Sequence, residues 1–105
     1  MPQISVNTDA QTVITTFETS PGQCQDLLDA LRDAYAEYIS RQPGFLAAAL
    51  HVNDAQTRIA NYSQWARRED FLAMLRSPEM RTRNRALNAQ CRSFEPVLYD
   101  VAATF

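Results

Sequence analysis

Lysine is absent from this chain of 105 residues, and all ten basic side chains are arginines. That removes Schiff-base chemistry through a lysine amine and the phosphate-gripping lysine of a P-loop. Glycine is almost as scarce, with only Gly22 and Gly44, so no glycine-rich loop is present to hold a flavin or nicotinamide. A single histidine, His51, and two distant cysteines, Cys24 and Cys91, offer neither a CxxC pair nor zinc spacing, and no metal is expected. A hydrolytic triad would have to use His51, yet no GxSxG elbow accompanies it. There is no uninterrupted apolar run of the roughly 18 residues that a transmembrane helix needs. Residues 1–11 lack the basic start and apolar core of a signal peptide. The expectation is a cytoplasmic protein with no membrane partner and with reduced cysteines.

What is present fits one small domain, apolar in 46% of its residues, which is enough to build a core. Net charge is −2. Arg76, Arg81, Arg83, Arg85 and Arg92 fall close together, but no aromatic residue alternates with them and the chain as a whole is acidic. They read as a solvated helix face with one or two inward arginines, not as a nucleic-acid footprint.

Along the chain, residues 1–11 read as a flexible arm with a short strand at 4–6, and 12–105 as the domain. Residues 12–18 are β-branched and aromatic, a strand. Ser20, Pro21 and Gln23 then form a capping box opening a helix that buries Leu27, Leu28, Leu31, Ala34, Tyr35, Tyr38 and Ile39. Pro43-Gly44 stops it. Residues 45–52 form a second strand, apolar on both faces, with Leu46, Ala48, Leu50 and Val52 opposite Phe45, Ala47, Ala49 and His51. A turn at 53–56 leads into a third strand over 57–64, making a hairpin. From Trp65 a helix runs with Phe71, Leu72 and Leu75 inward. It restarts at Ser77-Pro78 and continues to about Cys91, with a stripe of Met80, Asn84, Leu87 and Cys91. Residues 94–105 read as a long last strand, with Pro96 at its entrance.

The order is β-α-β-β-α-β, an α+β, ferredoxin-like antiparallel sheet covered by helices on one face. A strand that is apolar on both sides needs cover on the second face as well. The expectation is a homodimer packed sheet to sheet, a dimeric α+β barrel whose long last strand helps to join the subunits.

The chain turns on residues 58–71, where strand gives way to helix. Alternation along a strand puts Ile59, Asn61 and Ser63 on one face, with Trp65, the sole tryptophan, continuing that parity. An amide beside an indole can grip a flat, oxygen-bearing aromatic ligand. The same pair also reads as a core tryptophan with a satisfied N–H beside an asparagine that ends a ladder.

Pro43-Gly44-Phe45, followed by Asn61-Tyr62-Ser63-Gln64-Trp65, resembles the antibiotic biosynthesis monooxygenase family, over about residues 13–101. The nearest likeness is to the small polyketide anthrone oxygenases of aromatic antibiotic pathways. The resemblance implies a dimeric barrel that oxidises an anthrone to a quinone with dioxygen and no metal, flavin or haem. It carries catalytic roles onto Asn61 and Trp65, and onto an arginine that aligns with Arg85, with Arg81 one turn earlier as its substitute. His51 sits where some members have a histidine. Where such enzymes carry a tyrosine after the tryptophan, this chain has Phe71, which removes a phenol from the site. Relatives that degrade haem ligate its iron through a histidine on the second helical region, and none lies between Trp65 and Cys91 here.

An anthrone's methylene is acidic, and its enolate can pass an electron to dioxygen. Asn61 and Arg85 are suitable donors to the developing oxyanion. His51 is a candidate for moving the proton, because imidazole titrates near neutrality. Phe71, Asn84, Tyr35 and Arg81 are candidates for contacting substrate, with Tyr35 also reading as a core residue with a polar tip. Other readings keep the fold but differ in chemistry: a flavin-dependent ring oxygenase, a polyketide cyclase, or a non-catalytic ligand-binding barrel.

Overall fold

The computed structural model describes residues 10–105. The short strand expected at 4–6 and most of the arm lie outside them. The elements run β1 (Gln11–Glu18), α1 (Pro21–Glu37), a 3-10 turn (Ile39–Arg41), β2 (Phe45–Val52), β3 (Arg58–Trp65), α2 (Arg68–Arg76), α3 (Pro78–Asn88) and β4 (Ser93–Tyr99). The four strands form one antiparallel sheet in the order β2-β3-β1-β4. This is the ferredoxin-like α+β fold. β1 begins at Gln11, inside the segment read from sequence as the arm.

Register assigns the sheet's two faces. Val13, Thr15 and Phe17 of β1 pair with Ser63, Asn61 and Ile59 of β3, and with Leu98, Pro96 and Phe94 of β4. This face lies under the helices. Beneath α1, Leu27, Leu31 and Cys24 pack with Phe17, Ile59 and Leu87. Toward α2 and α3, Val13, Trp65, Phe71, Met74 and Met80 pack together. The opposite face carries Ile14, Tyr62, Ala49 and Val97 in one row across the four strands.

Strict alternation fails at the start of β2. A register shift between Phe45 and Ala47 pairs Phe45 with Trp65 but Ala48 with Ser63. Phe45 therefore joins Ala48 and Leu50 on the helix face, and not Ala47 and Ala49 as simple parity assigns it. One extra residue, Leu46, is accommodated there, as in a β-bulge, and it is left exposed.

Several ends also differ from the sequence reading. Ser20 occupies the N-cap of α1 with Pro21 after it, but its side chain makes no cap bond; the Ser20 carbonyl accepts from Gln23 and Cys24 instead. The capping box is therefore unformed. β3 runs through Trp65, so α2 starts only at Arg68. α3 ends at Asn88, before Cys91. β4 ends at Tyr99, well short of Phe105, because its pairing with β1 stops where Thr12 meets Tyr99. The restart at Ser77-Pro78 is as expected: Ser77 Oγ accepts from Met80 N, and Pro78 takes the first helical position.

Candidate active site

The site begins with β3, whose period of two aligns Ile59, Asn61, Ser63 and Trp65 under the helices. Trp65 is wholly buried. Its indole meets Phe45 edge-on at 5.4 Å between centroids and Phe71 at 5.9 Å. Its Nε1–H donates to Ser63 Oγ at 3.3 Å. Two residues earlier, Asn61 Oδ1 accepts a 2.7 Å hydrogen bond from the Tyr35 hydroxyl of α1.

Between this face and the helices lies an inner cavity of about 40 Å³, lined by Asn61, Ser63 and Tyr35 within an apolar wall that includes Phe71, Met74 and Met80. That is room for about one water molecule. Leu75, Asn84 and Phe94 line both the inner cavity and an outer mouth of about 510 Å³, where Arg81, Arg85 and Asn88 complete the rim. The mouth has the size of a small-molecule pocket, about 300–1,000 Å³; the inner cavity does not. A larger depression of about 650 Å³ lies between α1 and β2 and shares Tyr35 with the inner cavity, but Asn61 does not line it. We place the candidate site at the inner cavity and its mouth, because Asn61 and the arginines converge there.

The electrostatics of this site are one-sided. Among the described residues, neither cavity nor mouth is lined by a carboxylate or an imidazole. Arg81 and Arg85 are exposed and form no ion pair among the described residues; Arg85 Nη2 makes only a long 3.5 Å contact with Thr82 Oγ1. Arg83, two positions from each, is instead held by Glu79 and Glu37. Burial pushes the Tyr35 phenol above its ordinary pKa near 10, partly offset by its contacts with Asn61 and Ser63.

The sequence-derived candidates therefore separate. Asn61, Tyr35, Phe71 and Asn84 line the inner cavity, and Arg81, Arg85 and Asn84 reach its mouth. Trp65 lines neither and stands behind Ser63. His51 pairs with Ala60, on the opposite face of the sheet from Asn61, and is exposed. Alternation dictates this, since the neighbour of His51, Leu50, is the residue that pairs with Asn61. Ser63 and Asn88 were missed. Shared parity with Asn61 and Trp65 was the signal for Ser63, and helical spacing from Arg81 and Arg85 the signal for Asn88.

The antibiotic biosynthesis monooxygenase family model matches residues 10–86, which span Asn61, Trp65 and Arg85. This chain belongs to that family. Membership makes it an oxidoreductase of the monooxygenase kind. It is 31% identical over 80 residues to a tetracenomycin-F1 monooxygenase of Streptomyces glaucescens, covering 76% of this chain and 71% of the relative. In fold it is similar to a variant of SnoaB, a cofactor-independent oxygenase from Streptomyces nogalater, with TM-score 0.81, 21% identity and coverage of 92% and 97% of the two chains. A monooxygenase from Streptomyces coelicolor in complex with the ligand nanaomycin D matches with TM-score 0.78 and 21% identity, over 97% of each chain. An anthrone oxidase-like protein matches with TM-score 0.89 and 20% identity, over 97% of this chain and 43% of that one. No helix among the described residues is long and apolar enough to cross a membrane.

Proposed function

We propose that this protein is a cofactor-independent monooxygenase that uses dioxygen to oxidise an aromatic polyketide, an anthrone or a related phenol, to a quinone. The observation that carries this reading is the Asn61 amide in an apolar cavity whose mouth holds two arginines with no carboxylate partner among the described residues. The named function of the Streptomyces glaucescens relative supports a polyketide substrate, and the description of SnoaB supports a reaction without a cofactor.

In this reading the substrate enters between α3 and β4. Its rings displace the side chains of Met74, Met80 and Leu75, adaptable groups that leave the small inner cavity room to open. Arg81 and Arg85 favour the substrate's ionised form at the mouth, and Asn61 Nδ2 donates to the enolate oxygen. In this reading the methylene proton leaves to water, and the positive rim supplies the acidity. The enolate gives one electron to dioxygen, and the two radicals combine as a peroxide. Loss of water then yields the carbonyl: anthrone plus dioxygen gives anthraquinone plus water. Phe71 and the apolar wall keep other water out.

The working unit in this reading is a homodimer. The row of Ile14, Tyr62, Ala49 and Val97 on the outer sheet face is apolar but for one phenol, and a second copy of the face would cover it.

Oxygen uptake by the metal-stripped protein with dithranol, followed beside quinone absorbance, tests the proposal. The expected result is turnover with no added cofactor, lost in Asn61→Ala. Uptake only with added reduced flavin would replace it with the flavin-dependent reading. Tight binding without uptake would favour a cyclase or a binding protein.

A further inference from the structure

Asparagine and an indole on one strand face each meet a hydroxyl here. An indole N–H can only donate, so Ser63 Oγ accepts from Trp65. Tyr35 donates to Asn61 Oδ1 at 2.7 Å. With its oxygen occupied, the Asn61 amide must turn its NH2 elsewhere. No buried side-chain nitrogen or oxygen among the described residues lacks a partner, and Asn61 Nδ2 has none, so that NH2 is an accessible group beside the cavity.

We infer that the Tyr35 hydroxyl fixes the orientation of the Asn61 amide, which makes Tyr35 a positioning residue. An asparagine amide has two orientations of similar shape that present opposite groups. Reversed, Asn61 would offer a carbonyl oxygen to a developing oxyanion and repel it. Burial of Tyr35, which holds the phenol protonated, keeps the donor in place at working pH. The inference rests on the proposed role of Asn61 as an oxyanion donor.

A double-mutant cycle on dithranol oxidation tests it. Tyr35→Phe keeps the ring and removes only the hydroxyl. Its kcat is expected to fall about tenfold or more with KM little changed, and by less than the roughly 10²–10³-fold expected for Asn61→Ala. In the Asn61→Ala background, Tyr35→Phe should then change kcat less than about twofold. Thermal unfolding of each variant accompanies the rates. Wild-type kcat in Tyr35→Phe, or equal losses in both backgrounds, would overturn the positioning role of Tyr35 while leaving the Asn61 proposal standing. Unchanged turnover in Asn61→Ala would overturn the Asn61 role itself, and the positioning role with it.

Discussion

The Tyr35 hydroxyl and Asn61 Oδ1 lie 2.7 Å apart, joining the last turn of α1 to the middle of β3 across 26 positions of sequence. Burial raises the pKa of this phenol above its ordinary value near 10, although its contacts with Asn61 and Ser63 partly oppose the shift. The folded state therefore holds the Tyr35 proton more tightly than the unfolded chain does. Stability from this source is complete below pH 10 and declines as pH rises through the folded pKa. Denaturant midpoints measured from pH 8 to 11 should fall at the alkaline end in wild type, and less steeply in Tyr35→Phe.

Gly44 holds φ at +84°, and a Cβ there would overlap the Asp70 side chain. Its carbonyl also accepts from Ala66 N at 2.7 Å, which ties the start of β2 to the end of β3 beside Trp65. Gly44→Ala should destabilise the protein by about 1–3 kcal/mol from backbone strain, with the Asp70 overlap adding to it. Comparing Gly44→Ala alone with Gly44→Ala/Asp70→Ala by thermal unfolding checks this. Partial recovery in the double variant is expected.

Arg81 and Arg85 share the mouth with no neutralising partner among the described residues. Arg85→Gln alone should raise KM for an acidic phenolic substrate, with Arg81 covering part of the loss. The double Arg81→Gln/Arg85→Gln variant should lose more than either single change. Turnover at low substrate should also fall as salt rises, since an exposed cation pair is screened over about 10 Å at 0.1 M. Steady-state kinetics across ionic strength measure both effects.

The fold was legible in the sequence because its signals were local. Alternating β-branched residues marked β1, and Ser77-Pro78 marked the break between α2 and α3. The shared parity of Asn61, Ser63 and Trp65 followed from one strand alone. What failed depended on neighbours. Leu46 bulges out where the pairing of β2 with β3 shifts register, and β4 stops at Tyr99, where its pairing with β1 ends at Thr12. His51 looked close to Asn61 along the hairpin, yet pairing with Ala60 turns it to the other face. Trp65 looked like a pocket wall, but Phe45 and Phe71 enclose it. The Tyr35–Asn61 bond joins separate elements, and no local pattern announces it.

On the outer face, Tyr62 sits between Ile14 and Ala49 in the cross-strand row. Tyr62→Glu would place a charge at the centre of the proposed dimer contact, where a desolvated, unpaired carboxylate is costly. Light scattering after size exclusion should give twice the chain mass for wild type and the single-chain mass for Tyr62→Glu. A wild-type protein of single-chain mass would contradict the homodimer.

Isotope labelling under ¹⁸O₂ tests the central claim most directly, using metal-free wild-type protein with dithranol and no added cofactor. A monooxygenase acting as described places one labelled oxygen in the quinone, read by mass spectrometry above the slow uncatalysed background, and Asn61→Ala returns to that background. A quinone formed at the enzymatic rate without label, or labelled equally in wild type and Asn61→Ala, would contradict it.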